Sequence, residues 1–196
     1  MIDSLLGIIT TMPFLFISYT ILGAGIKYID AAYDEHTFDK RIALLFAPLL
    51  GLFWSFTMLL HPVSATILLA VALSVLLKGK IDNRAFLIGF AVIAGVLLFM
   101  GMHVAVLPLV FLTTAGVLDE LGNDVIDYNK KDWKESVFRH QFSKYFFGRR
   151  YFMKAAVLVL VIMGVLPVVY LIAFILFDEA YIVVGMYSET KRKKTA

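Results

Sequence analysis

The stretch 42–77, IALLFAPLLGLFWSFTMLLHPVSATILLAVALSVLL, holds 36 residues without one acidic or basic side chain. A bilayer core of about 30 Å takes about 20 helical residues at 1.5 Å each, so this run is too long for one crossing and far too apolar for water. Its one polar interruption is His61-Pro62, where proline allows a turn and a fresh helix start. The run therefore reads as a helical hairpin with spans 42–60 and 63–77. The same reasoning extends outward in both directions. Residues 4–26 make one span. The run 85–118, interrupted at Gly101-Met102-His103, makes a second hairpin with spans 85–101 and 104–118, and 155–177 makes a sixth span with Pro167 inside it.

Composition agrees. The 196 residues are 61% hydrophobic and 17% charged, with a mean hydropathy of +0.86, against about 45–50% apolar and about 25% charged for a soluble domain. This excludes a soluble globule and a disordered chain. The absence of cysteine excludes disulfides, zinc–thiolate sites, iron–sulfur clusters and cysteine nucleophiles. No Walker loop, dinucleotide fingerprint, serine elbow or HExxH occurs. The fold class expected is all-α, a polytopic transmembrane helix bundle of six or seven spans.

The 18 Lys and Arg residues fall into clusters at 27–41, 78–84, 119–154 and 191–194. The first three follow spans one, three and five, which puts them on one face, and the turns at 61–62 and 101–103 on the other face carry none. By the positive-inside rule the charged face is cytoplasmic, in the cell membrane. Met1-Ile2-Asp3 would then lie outside, and without a basic n-region or small-residue cleavage site it does not read as a removable signal peptide. The basic residues 191–194 leave two readings open. Either 155–187 folds as two short pieces, or the tail departs from the charge rule. Residues 133–153 interleave aromatic with basic side chains, which at a membrane reads as an interfacial amphipathic segment touching lipid headgroups, not as a nucleic-acid surface.

Acidic residues repeat on the charged face. Asp30, Asp34 and Asp39 are matched by Asn123, Asp127 and Asp132, each pair 93 residues apart, and Gly23 and Gly116 share that offset. The match suggests two parallel pseudo-repeats. On a helix, i and i+4 side chains project together, so Asp30 and Asp34 share a face, as do Asn123 with Asp127 and Glu120 with Asp124. Like charges so placed repel unless a cation lies between them. Carboxylates near a helix C-terminus also oppose the macrodipole. Oxygen-only clusters suit hard cations, Mg²⁺ above all when a phosphate shares the coordination. The plainer reading is that of helix ends carrying solvated charge. Tyr28, Tyr33 and Tyr128 beside these motifs read as interfacial anchors.

These paired acidic segments, four crossings apart with a basic loop between, resemble the UbiA-type intramembrane prenyltransferases. The resemblance implies transfer of a polyprenyl group from a polyprenyl diphosphate to an aromatic or lipid acceptor, dependent on Mg²⁺. It carries Asp30 and Asp34 to the first acidic motif and Asn123, Asp124 and Asp127 to the second. The D-x-x-x-D spelling of the second motif falls on Asp119 and Asn123. Lys78, Lys80 and Arg84 take the place of the loop that grips the diphosphate. The implied catalytic residues are Asp30, Asp34, Asp124 and Asp127, the implied metal ligands those four with Asp119, and the implied diphosphate ligands Lys78, Lys80, Arg84 and Asn123. Expected partners are the polyprenyl diphosphate and membrane lipids, with no nucleic acid; pairing with a second copy of the chain stays open. Two rival readings are a cation channel or transporter, and a catalytically degenerate homologue acting as a scaffold.

Overall fold

Local chemistry sets where each helix begins and ends. The computed structural model describes residues 12–79, 83–128 and 150–195. They form seven helices and no strand: α1 (Met12–Tyr33), α2 (Lys40–Leu60), α3 (Pro62–Leu77), α4 (Arg84–Met100), α5 (Val106–Tyr128), α6 (Tyr151–Ile162) and α7 (Val168–Thr195). Asp39 caps α2 by accepting from the Arg41 amide at 2.7 Å, and Asn83 caps α4 by accepting from the Phe86 amide at 2.9 Å. Pro62 opens α3 directly after an extended His61, since proline lacks the N–H that the first turn leaves unpaired anyway. Gly101, at φ +66°, ends α4 in a conformation that a Cβ would oppose.

The chain from 155 to 177, expected as one span, is instead divided. Gly164 adopts φ +72°, and the Val165 and Leu166 amides both turn back to the Leu160 carbonyl at 2.9 and 3.2 Å. With Pro167 following, the helix cannot continue, and α7 starts afresh. α6 is therefore only 12 residues long while α7 runs for 28, about 42 Å at the helical rise.

The helices close on themselves. α1 packs against α2 and α7, α2 against α3, α3 against α5, α5 against α6, and α6 against α7, so that six of the seven form a ring; α4 lies outside it, packed on α2. The interior is filled by fully buried side chains such as Tyr19, Leu22, Met58, Leu68, Phe174 and Phe177. The ring of Phe177 is a hub, edge-on to Tyr19 and Trp54 at centroid distances of 6.4 and 5.9 Å and stacked on Phe174 at 5.9 Å. α1 and α7 approach most closely at Gly23, where a Cβ would lie 1.9 Å from the Phe177 carbonyl oxygen. The outer faces are apolar; Leu98, Phe99 and Leu107 are each more than four-fifths exposed. Three helices, Met12–Tyr33, Lys40–Leu60 and Val168–Lys194, are long and apolar enough to cross a membrane.

The two ends of the bundle differ in chemistry. At one end the 61–62, 101–105 and 163–167 turns meet, with the Ala105 amide donating to the Thr66 hydroxyl at 3.2 Å. A cavity of about 450 Å³ lies among Pro62, Thr66, His103 and Leu166 there. No Lys or Arg of the described residues lies at that end. At the other end Lys191 sits over the ring of Phe38 at 5.1 Å, so the basic residues after Tyr187 return to the side that carries 34–41, Lys78 and Arg84. Shifted by 93 residues, α1 falls on 105–126, within two residues of α5. The neighbours of the two helices differ, however: α7 and α2 for α1, α3 and α6 for α5.

Candidate functional site

At the polar end α1 and α7 meet through charges on α1. Lys27 and Asp30 stand three residues apart and therefore on one helix face; Lys27 Nζ lies 2.6 Å from Asp30 Oδ2 and 2.7 Å from Glu35 Oε1. The Tyr181 hydroxyl donates to Asp30 at 3.5 Å, and Lys27 sits over the Tyr181 ring at 5.5 Å. Just beyond, Ser188 of α7 donates to Glu35 Oε2 at 2.6 Å and shares a short hydrogen bond with Thr37. Burial works against the charged Glu35 carboxylate. The hydrogen bonds from Lys27 and Ser188, with the charges of Lys27 and Arg192, outweigh it and hold Glu35 below the ordinary carboxylate range.

A second set of charges joins α5, α6 and α7. Asp119, near the end of α5, accepts from the Phe152 and Met153 amides at 3.0 and 2.8 Å. It thus caps α6 from a neighbouring helix, in the place where α6 has no cap of its own: Arg150 is left-handed at φ 47° and makes no side-chain cap. Burial pushes the Asp119 carboxyl up to about 6, against the pull of those amides and of Arg150. The Arg150 guanidinium lies 4.0 Å from Glu120 Oε1 and stacks over the Tyr181 ring at 4.7 Å. One turn deeper, Lys154 Nζ lies 2.5 Å from Asp178 Oδ2 and 3.9 Å from Glu179 Oε1. Asp178 is buried.

The chain Asp30, Tyr181, Arg150, Glu120 therefore runs unbroken from the first acidic segment to the start of the second. No protein-family model, curated protein or solved structure matches this chain. What the site does has to be argued from its own side chains.

Of the residues expected from sequence, Asp30 is brought into this cluster as a partner of Lys27, and Asp119 as a helix cap. Asp34 is exposed one residue past the end of α1, its amide closing a turn onto the Asp30 carbonyl at 2.9 Å. Asn123, Asp124 and Asp127 lie on the last two turns of α5, at the same end as Asp34; their side chains lie outside what is described. Lys78 ends α3 and Arg84 opens α4 at that end, while Lys80 and the stretch 133–149 lie outside the described residues. Among the described residues no group of three or more His, Asp or Glu side chains is arranged to hold a metal ion. The donor set explains part of this. Asp30 faces the Lys27 ammonium and Asp119 spends both oxygens on amides, so neither, as held, fits a Mg²⁺ site.

Sequence reasoning missed Lys27, Arg150, Lys154, Asp178, Tyr181 and Ser188. Two of these had a signal. Lys27 precedes Asp30 by three residues, the spacing of a helical ion pair. Asp178, with Glu179 beside it, closes a run of 23 residues (155–177) without a charged side chain, and an acid so placed in lipid demands a partner.

Proposed function

We propose that this chain is an integral membrane protein crossing the bilayer six or seven times with its charged end cytoplasmic. We further propose that it transfers a polyprenyl group from a polyprenyl diphosphate to an aromatic or lipid acceptor. The orientation is supported by the charge distribution, since every described Lys and Arg belongs to one end. The observation that carries the activity is the chain Asp30, Tyr181, Arg150, Glu120, which draws the beginnings of both acidic segments together beside three partly buried cations, Lys27, Arg150 and Lys154.

In this reading the polar end takes the charged headgroup. Lys78 and Arg84, at the adjoining ends of α3 and α4, meet the diphosphate and stabilise the charge that develops as it leaves. The isoprenoid chain lies among apolar helices that keep water from the allylic cation. Mg²⁺, when bound, would neutralise the leaving group. As Asp30 and Asp119 do not fit it, the carboxylate chemistry rests on Asp34, Asp124 and Asp127.

The test is release of labelled diphosphate from farnesyl diphosphate by the purified protein, with and without Mg²⁺. Asp34→Ala and Asp127→Ala should each abolish release while the protein still elutes as a folded species. Full activity in both variants rejects the assignment.

One observation favours a second reading, a non-catalytic homologue that serves as a scaffold. Asp30, Glu35, Asp119 and Asp178 all serve the chain's own cations or amides, which is how carboxylates act when they hold a bundle together. No release from any donor, in a protein that stays folded, selects this reading. An ion pathway fares worse: Asp178, which lies among the apolar helices, is buried and held against Lys154.

A further inference from the structure

The far third of α7 behaves differently from the rest of the helix. Up to Phe177 it is seated in the apolar core, with Gly23 against its backbone. From Tyr181 onward it lies along the first acidic segment and is held there mainly by polar and aromatic contacts. Tyr181 bonds Asp30, Ser188 bonds Glu35 and Thr37, Tyr187 stacks on Phe38 at 6.2 Å, and Lys191 sits over the Phe38 ring at 5.1 Å. Ser188 is completely buried, although the residues around it are largely exposed. The effect is a cover over Lys27, Asp30 and Glu35.

The helix also has a weak point at the base of this cover. Gly185 follows the β-branched run Ile182-Val183-Val184, and glycine inside a helix is the least helix-favouring residue after proline. Gly185 faces the side chain of Lys27, so that an added Cβ would lie 3.2 Å from Lys27 Cε and 3.9 Å from its Cδ and Cγ.

We propose that residues Gly185 to Arg192 form a strap that closes over the first acidic segment and swings away about Gly185 to open the Lys27 ammonium to a phosphorylated headgroup. The headgroup class rests on the proposed function; the strap rests on the contacts above. An incoming diphosphate competes for the Lys27 ammonium that now holds Glu35. Loss of that partner weakens the Glu35 to Ser188 bond, and the strap loses its main anchor.

The chain has no cysteine, so thiols introduced singly or in pairs are the only ones present. In purified protein in lipid nanodiscs, the thiol of Ser188→Cys should react slowly with a soluble maleimide, and several-fold faster when farnesyl diphosphate and Mg²⁺ are added. Inorganic diphosphate in a parallel arm distinguishes the headgroup from the lipid that carries it. Gly185→Ala, which stiffens the base, should reduce this acceleration when placed in the same background. Thr37→Cys with Ser188→Cys places two thiols across the strap, and their oxidation should block diphosphate release reversibly. A labelling rate unchanged by either ligand overturns the strap whatever the activity. Faster labelling without diphosphate release keeps the strap and removes prenyl transfer. Full release by the oxidised double variant also overturns the strap.

Discussion

Replacing Asp178 by Asn removes the one charge that Lys154 approaches within 3 Å. The side chain of Lys154 is 14% exposed and that of Asp178 1%, so the lysine is left largely inside the bundle with, among the described residues, Glu179 3.9 Å away and half exposed and the Tyr151 ring at 5.4 Å to answer it. Breaking a buried ion pair costs about 3–5 kcal/mol, because the surviving charge stays desolvated. Lys154 stands near the start of α6 and its long stem can carry the ammonium toward the polar end, which argues for the lower figure, about 3 kcal/mol. At roughly 2–4 °C per kcal/mol for a chain of this size, the melting midpoint should fall by about 6–12 °C. The assay is the fraction of protein eluting as a folded peak on gel filtration after heating in detergent. Lys154→Met combined with Asp178→Leu removes both charges and fills a similar volume, and this pair should return to within about 1 kcal/mol of the parent. A single Asp178→Asn variant that melts with the parent refutes the reasoning. So does a double variant as weak as the single one, since it would show that packing and not charge is what the site supplies.

Three further outcomes follow from the same geometry. Gly23→Ala would place a methyl 1.9 Å from the Phe177 carbonyl oxygen and should cost about 1–3 kcal/mol in the same melting assay, whereas Gly95→Ala, with nothing within 4 Å of the new carbon, should gain up to about 1 kcal/mol through helix propensity. Asp119→Ala leaves the Phe152 and Met153 amides without their acceptor and should cost about 1–2 kcal/mol, seen as faster hydrogen exchange confined to the first turn of α6. Glu35 has a depressed pKa, so the stability it lends is present above the ordinary carboxylate pKa and is lost as pH falls through the folded value, below that range; amide protection over 186–192, taken relative to the intrinsic exchange rate at each pH, should be high at neutral pH and fall once the pH drops below the ordinary carboxylate range, and protection constant throughout contradicts the Glu35 anchor.

The hairpin at His61-Pro62 and the break at Gly101 could be read from sequence because each combines an overlong apolar run with a residue that changes backbone geometry. The division of 155–177 was harder. Gly164 and Pro167 were visible, but a proline within an apolar run is equally compatible with a kink, and the choice is made by the Leu160 carbonyl, which takes both following amides. Residues 1–11 and the start of the expected span at residue 4 lie outside the described residues, so α1 is seen only from Met12. At the site, sequence placed the acids at one end but could not say what faces them. Lys154 and Asp178 are 24 residues apart along the chain and meet only because the 163–167 turn folds α7 back. Asp119 shows the same limit: its spacing reads as a ligand's, and its role is fixed by where α6 happens to start.

The ring is closed by α1 and α7, which are separated by 134 residues of intervening chain. At a synthesis rate of about 5–20 residues per second, and with α1 inserted as proposed above, that helix would wait roughly 7–27 seconds in the bilayer before its principal neighbour had been made. An isolated ammonium or carboxylate on a lone helix in lipid would be poorly tolerated during that wait. Because Lys27 and Asp30 are three residues apart, they can neutralise each other on the nascent helix alone. The same ion pair that later joins the assembled cluster is thus available from the outset, and α1 arrives at its last partner already electrically quiet.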